Sequence, residues 1–216
     1  MTNHYPNLNP QKALIWRIVH RDNFDWILDN GLHCASSGVQ APNYEAIGNQ
    51  DLINRRAFRE VSIPPGGVLA DYVPFYFTPF SPMMYNIYTG RGDVKQRRNE
   101  EILILVSSLP KLQEKGIPFV FTDRHAYTQL AEFSDGIGQL GKVDWPLLQQ
   151  RNFQRNANDP VQIERYQAEA LIHNHCPIDG LIGVVCYTDE LKLSLEKKAA
   201  QRGLNLDVRK LPQWYF

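Results

Sequence analysis

The sequence predicts an α+β fold built on a bent or split β-sheet. Runs of β-branched and aromatic residues outnumber the long helical segments, and the two do not alternate regularly as they would in a doubly wound sheet. Prolines interrupt one of these runs so densely that a regular strand cannot continue through it. The 216 residues, 43% hydrophobic and 21% charged, fit one domain, which we place at 1–216 with 1–12 as a flexible lead-in.

Seven β-branched or aromatic runs predict the strands of this sheet, at 13–20, 73–78, 101–107, 118–123, 169–172, 181–187 and 206–209. Helical spacing and capping residues predict helices at 23–30 behind Asp22, at 50–59, after Ser81, after Asp144, and at 188–202. Residues 32–48 have no clean period and are rich in Ser, Gly, Asn and Pro. We expect this segment to be irregular and to act as a lid.

Residues 71–85 contain six aromatic residues, three prolines and two methionines. Each proline removes a backbone donor and restricts the residue before it, so only 73–78 is expected to form a strand. Ser81 and Pro82 then begin a helix as its N-cap and first residue. This ring-rich segment forms either a wall on which a planar ligand stacks or a core hairpin with a few exposed rings.

Composition and motifs exclude several classes of protein. The 23 basic and 23 acidic residues balance, so no field of the whole molecule attracts nucleic acid. Neither a P-loop nor GxGxxG occurs, which gives a Walker ATPase or a Rossmann dehydrogenase no support. The sequence lacks a membrane-spanning apolar run and a signal pattern, and its three cysteines make no paired framework, so we expect a cytoplasmic protein with reduced thiols.

A metal site is not expected. The segment His173-Asn174-His175-Cys176 is the one that suggests zinc. Tetrahedral zinc needs further ligands at a compatible spacing, and neither a CxxC nor an HxxxH pair is present.

Glu169 is the leading candidate for a catalytic group. It stands at the start of an apolar, strand-like run, and a carboxylate seldom faces a core without a partner. Glu169 is therefore either a solvated residue at the lip of a strand or a carboxylate inside a cleft. In a cleft it would stabilise positive charge or remove a proton.

Basic residues are grouped locally although the net charge is zero. The groups are Arg55, Arg56 and Arg59; Arg91, Lys95, Arg97 and Arg98; Arg124 with His125; and Arg151 with Arg155. Each group is either a solvated surface or a patch for a short single-stranded nucleic acid. The planar guanidinium of Arg56 suits a diphosphate. His20 and Asn23 close the first strand, where they form either a nucleotide site or a simple helix cap.

Short motifs throughout the chain carry a more specific signal. In order they are IVHRDN at 18–23, IL at 27–28, GL at 31–32, INRR at 53–56, PGGVL at 65–69, DYVPFYF at 71–77, SPM at 81–83, FVFTDRH at 119–125, QAE at 167–169 and WY at 214–215. With this set of motifs the chain resembles the DarT toxins, DNA ADP-ribosyltransferases of bacterial toxin–antitoxin systems.

The resemblance implies an ADP-ribosyltransferase fold, a split antiparallel sheet whose cleft binds NAD+. The implied reaction transfers ADP-ribose to a thymine base in single-stranded DNA, in a sequence-specific manner, and so blocks replication. NAD+ is a co-substrate, no metal takes part, and the implied partners are single-stranded DNA and a macrodomain antitoxin that removes the modification. The protein is expected to be a monomer.

Carried over by position, the resemblance implies a catalytic group of Glu169, Arg56 and His125. The residues implied for NAD+ are Arg17, His20, Asn23, Leu32, Arg56 at the phosphates and Tyr76 at the nicotinamide. Those implied for the DNA are Arg55, Tyr85, Arg124, His125 and Arg155.

The chain departs from the family pattern at two positions. Members often have a histidine that holds the cofactor where this chain has Arg17, so either Arg17 or the pair His20 and Asn23 takes that role. Phe80 stands where an arginine is common. Two rival functions stay open: a transferase acting on guanine, RNA or protein, and a non-catalytic nucleotide-binding module. The residue that takes the proton from the base is Glu169 or His125.

Overall fold

An eight-stranded sheet forms the centre of the computed structural model, which describes residues 5–216. Its strands are β1 Leu14–His20, β3 Tyr72–Tyr76, β4 Ile102–Ser108, β5 Phe119–Thr122, β6 Phe133–Ser134, β7 Glu169–His173, β9 Gly183–Cys186 and β10 Asp207–Lys210. They lie in the order β10-β9-β4-β1-β3-β7-β5-β6. Two short strands, β2 Leu32–His33 and β8 His175–Cys176, form a separate antiparallel pair.

The sheet is split between β1 and β3. β1 pairs with β4 along its whole length, from Leu14 opposite Ser108 to His20 opposite Ile102. With β3 it shares one aligned pair, Trp16 opposite Tyr76. Beyond that pair Arg17 reaches across and donates a 2.8 Å hydrogen bond to the Pro74 carbonyl. The predicted split sheet is therefore confirmed, with the split between β1 and β3.

Within residues 5–216, seven α-helices flank the sheet: α1 Phe24–Asn30, α2 Gln50–Arg56, α3 Pro82–Thr89, α4 Leu109–Glu114, α5 Trp145–Gln149, α6 Gln162–Arg165 and α7 Asp189–Ala200. Side chains cap five of them by accepting a backbone N–H, namely those of Asn49, Ser81, Ser108, Asp144 and Thr188. α7 connects β9 to β10, and these two strands are parallel, in contrast to their antiparallel neighbours.

Two details of the predicted helices were wrong. Asp22 does not cap α1, because the chain first makes a 3-10 turn over Arg21–Asn23, and it is the His20 ring that accepts the Asp22 N–H. α2 ends at Arg56 instead of continuing to residue 59. The short helices α4 and α6 and the two-residue strands were not predicted, since segments of this length carry no periodic pattern.

The start of the chain lies against the domain. Residues 1–4, part of the expected flexible lead-in, are outside the described residues. From Tyr5 the chain packs on the sheet: Leu8 is buried, and the Tyr5 ring lies 4.6 Å from the Phe80 ring. Within residues 5–216 no helix combines the length and apolar character that a membrane span requires.

Candidate active site at the split of the sheet

Glu169 is the first residue of β7 and lies opposite Tyr76 of β3, beside the split. Its side chain has no exposed surface. The alternative of a solvated residue at a strand lip is therefore excluded. β7 has β3 on one side and β5 on the other, so neighbouring strands close around the carboxylate.

Three groups surround the Glu169 carboxylate. Arg56 places Nη2 2.5 Å from Oε2. The backbone N–H of Ala126 donates a 3.0 Å hydrogen bond to Oε1. His125 Nε2 lies 3.8 Å from the same oxygen. The carboxylate is thus buried with a cation on one oxygen and a backbone donor on the other, which meets the requirement for burying a charge.

These contacts set the protonation states. Burial pushes the pKa of Glu169 upward, but Arg56, His125 and the Ala126 N–H outweigh burial, and the pKa lies below its ordinary value. Burial lowers the pKa of His125, although the negative charge of Glu169 acts to raise it. The pKa of Arg56 is raised, because the attraction of Glu169 exceeds the effect of burial. At neutral pH the site holds a carboxylate, a guanidinium and a neutral imidazole.

Local structure explains how the sequence brings these groups together. Asn49 caps α2 by accepting the Leu52 N–H, and Arg56 is in the last turn of that helix. The buried Thr122 hydroxyl at the end of β5 donates to the Arg124 carbonyl at 2.6 Å and accepts the Glu169 N–H at 3.3 Å. This hydroxyl ties the segment that carries His125 to the start of β7.

Tyr76 forms a wall beside the carboxylate. Burial, with a contribution from Glu169, raises the pKa of Tyr76 to about 12, so its hydroxyl keeps its proton. That hydroxyl contacts the sulfur of Met83 at 3.9 Å. Tyr76 and Met83 therefore lie together beside the carboxylate, whereas Phe75, Phe77 and Phe80 of the same segment are buried in the core.

A second group of polar residues lies at and beyond the end of β1. The buried side chain of Asn23 makes two 2.9 Å hydrogen bonds with the backbone of Glu45, one to its carbonyl and one from its N–H. Arg97 is ion-paired with Glu45 and with Glu101. His20 Nε2 lies 3.7 Å from Glu101, and burial lowers the pKa of His20.

These contacts fasten the connection between β2 and α2, residues 34–49, to the body of the domain. The segment is irregular apart from one 3-10 turn at Ala35–Ser37, as predicted from its composition. It leads directly into α2 and Arg56. The segment is therefore fixed at Glu45 and leads into the helix that carries Arg56.

The structure separates the other predicted residues from this centre. Leu32 is buried in the core of the domain. Arg55 is exposed on α2 and donates to the Asp51 carbonyl. Arg124 is ion-paired with Asp123. Arg155 is exposed, and Tyr85 packs between the rings of Phe153 and Phe216. Four predicted residues meet at one point, namely Glu169, Arg56, His125 and Tyr76.

Sequence reasoning missed several groups of the site. The Ala126 N–H is a backbone donor and leaves no signal in the side-chain pattern. Thr122 could have been noticed as a hydroxyl at the end of an apolar strand. The Glu45, Arg97 and Glu101 network joins residues far apart in the chain. Among residues 5–216 no three His, Cys, Asp or Glu side chains are grouped to hold a metal ion.

The family model described as "ssDNA thymidine ADP-ribosyltransferase, DarT" matches residues 16–216 of this chain. The chain belongs to the DarT family. A DNA ADP-ribosyl transferase of Escherichia coli O127:H6 (strain E2348/69 / EPEC) is 56% identical over 210 residues, which are 97% of this chain and 96% of that protein. Family membership, expected from the motifs, is thereby confirmed.

Solved structures of DarT proteins have the same fold. Thermus sp. 2.9 DarT in complex with ADP-ribosylated ssDNA aligns with a TM-score of 0.87 and 32% identity over 100% of both chains. The same Thermus protein in complex with NAD+ aligns with a TM-score of 0.79 and 33% identity, covering 96% of this chain and 99% of that one. The predicted ADP-ribosyltransferase fold is confirmed.

Proposed function

We propose that this protein transfers ADP-ribose from NAD+ to N3 of a thymine base in single-stranded DNA and releases nicotinamide. The observation that carries the proposal is the buried, ionised Glu169 at the split of the sheet, between Arg56 and His125. Membership of a family of DNA ADP-ribosyltransferases supports the reaction, and the relatives bound to NAD+ and to ADP-ribosylated ssDNA support both substrates.

The charge of Glu169 suits the donor half of the reaction. When the bond to nicotinamide breaks, positive charge develops on the ribose, and a nearby carboxylate stabilises that transition state more than the ground state. A carboxylate offers about four lone-pair positions, and Arg56 and Ala126 occupy one each. The remaining positions suit ribose hydroxyls. Because Glu169 has no exposed surface and Arg56 contacts one of its oxygens, Arg56 moves aside when a ribose hydroxyl binds there.

The cleft between β1 and β3 suits a dinucleotide. Arg17 lies across the split, with an Nε that is buried and unpaired, so it can bind an anion. His20 and Asn23 lie farther along the same edge, and Tyr76 supplies a ring at the other side. We assign Arg17, His20 and Asn23 to the donor and Tyr76 to the nicotinamide end. Leu32 contributes through the core that supports this edge.

The acceptor half requires removal of the N3 proton of thymine. N3 then bonds to the ribose carbon that nicotinamide leaves, and nicotinamide departs as a neutral molecule. His125 and Glu169 are both unprotonated at neutral pH and lie within 3.8 Å of each other, so either can take the proton. The other residues assigned to the DNA are Arg55, Tyr85, Arg124 and Arg155.

A single-strand preference follows from the burial of the site. A base must leave its stack to reach Glu169, which costs little in a single strand and a few kcal/mol in a duplex. The net charge of zero provides no long positive surface that would pay for opening a duplex.

The modification explains how the protein acts as a toxin. N3 is the hydrogen-bond donor with which thymine pairs to adenine, so ADP-ribose at N3 removes base pairing and blocks a replicating polymerase. We place the activity in the cytoplasm, where DNA is replicated, and assign the protein a macrodomain antitoxin that reverses the modification. We propose that the protein acts as a monomer.

Incubation of labelled NAD+ with oligonucleotides that each lack one base tests the acceptor. Label is expected on every single strand that contains thymine in a suitable context and on none without it. RNA and protein substrates are included in parallel. Transfer to guanine, RNA or protein instead would show that thymine is not the acceptor. If no ADP-ribose is transferred to any of these substrates, the protein is a nucleotide-binding module without this activity.

A further inference from the structure

Phe58 is an exposed ring close in sequence to Arg56. Of the large hydrophobic residues in the described part of the chain it has the greatest exposed fraction, 83%. It lies two residues after Arg56, whose guanidinium covers Glu169. A large ring fully in water beside a catalytic centre needs an explanation, because burying a ring of this size is favourable.

The loop from Asp123 to Glu132 presents a second apolar surface beside it. Its base is closed by the Glu132 N–H, which donates to Asp123 Oδ1 at 2.9 Å. Tyr127 is 37% exposed and Leu130 is 68% exposed. Tyr127 follows His125 by two residues, and its ring packs edge-on against the His125 ring at 6.4 Å. Each of the two neighbours of Glu169, Arg56 and His125, is thus followed by an exposed aromatic ring.

Arg59 joins the two surfaces. Its guanidinium approaches the carbonyls of Thr128 and Gln129 at 3.5 and 3.4 Å, which holds the turn that carries Phe58 against the loop of Tyr127. The backbone on either side of Phe58 is fixed as well, because the Arg59 carbonyl accepts the Leu69 N–H and the Ala57 carbonyl accepts the Ala70 N–H. Phe58 is therefore a free ring on a fixed backbone.

The charges around this surface indicate its occupant. Arg55 is exposed one turn before Phe58, and Arg59 follows it directly. Rings beside guanidinium groups match a chain of bases and phosphates, since bases stack on aromatic side chains and Arg neutralises phosphate. The surface is also continuous with the site where the acceptor base reacts.

We propose that Phe58 and Tyr127 form a stacking platform for the bases that flank the modified thymine. This inference rests on the proposed function and adds to it the side chains that hold the bases beside the modified thymine. Neither ring touches Glu169, so the platform acts on substrate binding and leaves the donor reaction unchanged.

The test compares Phe58→Ala, Tyr127→Ala and Phe58→Trp with the wild type. Leu193→Ala is the matched control, because Leu193 is 67% exposed on α7. The substrates are a thymine-containing oligonucleotide, the same strand with an abasic residue on one side of the thymine, and thymidine monophosphate. Stacking is worth about 1 to 3 kcal/mol per base, so each alanine variant should raise the KM for the oligonucleotide about 5- to 150-fold.

Phe58→Ala should leave NAD+ hydrolysis and the reaction with thymidine monophosphate unchanged, and Phe58→Trp should keep the wild-type KM. With one of the abasic strands, the KM of the wild type should rise as much as the KM of Phe58→Ala rises with the intact strand. Testing Phe58→Ala with that abasic strand should give no further rise. A wild-type KM for the oligonucleotide in both alanine variants would overturn the platform. It would do so even if the same variants weakened the binding of a protein antitoxin. Failure of the wild type to modify any DNA would instead refute the proposed function.

Discussion

Arg56 and Glu169 are separated by 113 positions in the sequence, yet Nη2 of Arg56 lies 2.5 Å from Oε2 of Glu169. The pair connects helix α2, which carries Arg56, to strand β7 of the sheet, which carries Glu169. One contact therefore fixes the charge of the carboxylate and covers it at the same time. Substrate binding must exchange this contact for new ones.

Removing the guanidinium should be costly. Arg56→Ala leaves a buried carboxylate without its cation, and breaking one partner of a buried pair typically costs about 3 to 5 kcal/mol. The pKa of Glu169 should then rise, because burial raises it and the positive charge of Arg56 no longer lowers it. We expect a lower free energy of unfolding in denaturant titrations and a higher KM for NAD+.

The neighbouring Arg55 provides the control, since it is exposed on the same helix and donates to a backbone carbonyl of its own helix. Arg55→Ala should change the unfolding free energy by less than about 0.5 kcal/mol. Equal stability of the Arg56→Ala and Arg55→Ala variants would show that the Arg56 and Glu169 pair does not hold the cleft together.

Acid should destabilise the protein in two steps. The pKa of His125 is lowered by burial, and the pKa of Glu169 is lowered because its partners outweigh burial. A group with a lower pKa in the folded state binds fewer protons there than in the unfolded chain, so stability rises with pH across that window. Stability should thus be complete above about pH 6.5, fall as His125 titrates, and fall again below about pH 4.3 as Glu169 titrates.

Thermal unfolding measured from pH 8 to pH 3 should detect both losses of stability. His20 and His33 contribute to the first step, because burial lowers their pKa as well. His125→Asn should reduce the first step and leave the second in place. A protein that grows more stable as the pH falls from 7 to 5 would contradict the buried, neutral state of His125.

His125 should act on the acceptor more than on the donor. Its ring lies on the Oε1 side of Glu169, away from the oxygen that Arg56 covers. Loss of a general base costs about 10²- to 10⁴-fold, so His125→Asn should reduce transfer to DNA by at least about 10²-fold while NAD+ hydrolysis without DNA stays near the wild-type rate. An equal loss in both reactions would assign His125 to the support of Glu169.

The contact at Glu45 should control the 34–49 segment. Arg97→Ala removes its ion pairs with Glu45 and Glu101, and Asn23→Ala removes both backbone hydrogen bonds. In both variants the amides of residues 34–49 should exchange with deuterium faster than in the wild type, while those of β4 should not. Arg91→Ala, in the same basic run, serves as the control. Unchanged exchange in both variants would remove Glu45 as the fastening point.

Much of the fold followed from local patterns. Alternating or continuous apolar runs located seven strands of the large sheet, and the prolines of residues 71–85 limited the expected strand to 73–78, close to the observed β3. Ser81, Asp144 and Thr188 marked three helix starts because their side chains accept backbone donors of the first turn. Asp22 failed as a cap since the His20 ring and a 3-10 turn already satisfy those donors.

The site was only partly accessible from the sequence. Glu169 could be recognised as a carboxylate at the head of an apolar run, and the motifs pointed to Arg56 and His125. The Arg56 contact with the carboxylate could not be foreseen, because it depends on how α2 folds over β7. The ion pair of Arg124 with Asp123, by contrast, joins two consecutive residues of the chain.

The most direct test of the account is the transfer of labelled ADP-ribose to a thymine-containing oligonucleotide by Glu169→Gln. This change keeps the shape of the side chain and an acceptor for the Ala126 N–H but removes the charge. Glu190→Gln, an exposed carboxylate on α7, is the control. We predict a loss of transfer of at least about 10²- to 10³-fold with NAD+ binding retained. Transfer at the wild-type rate by a folded Glu169→Gln protein would contradict it.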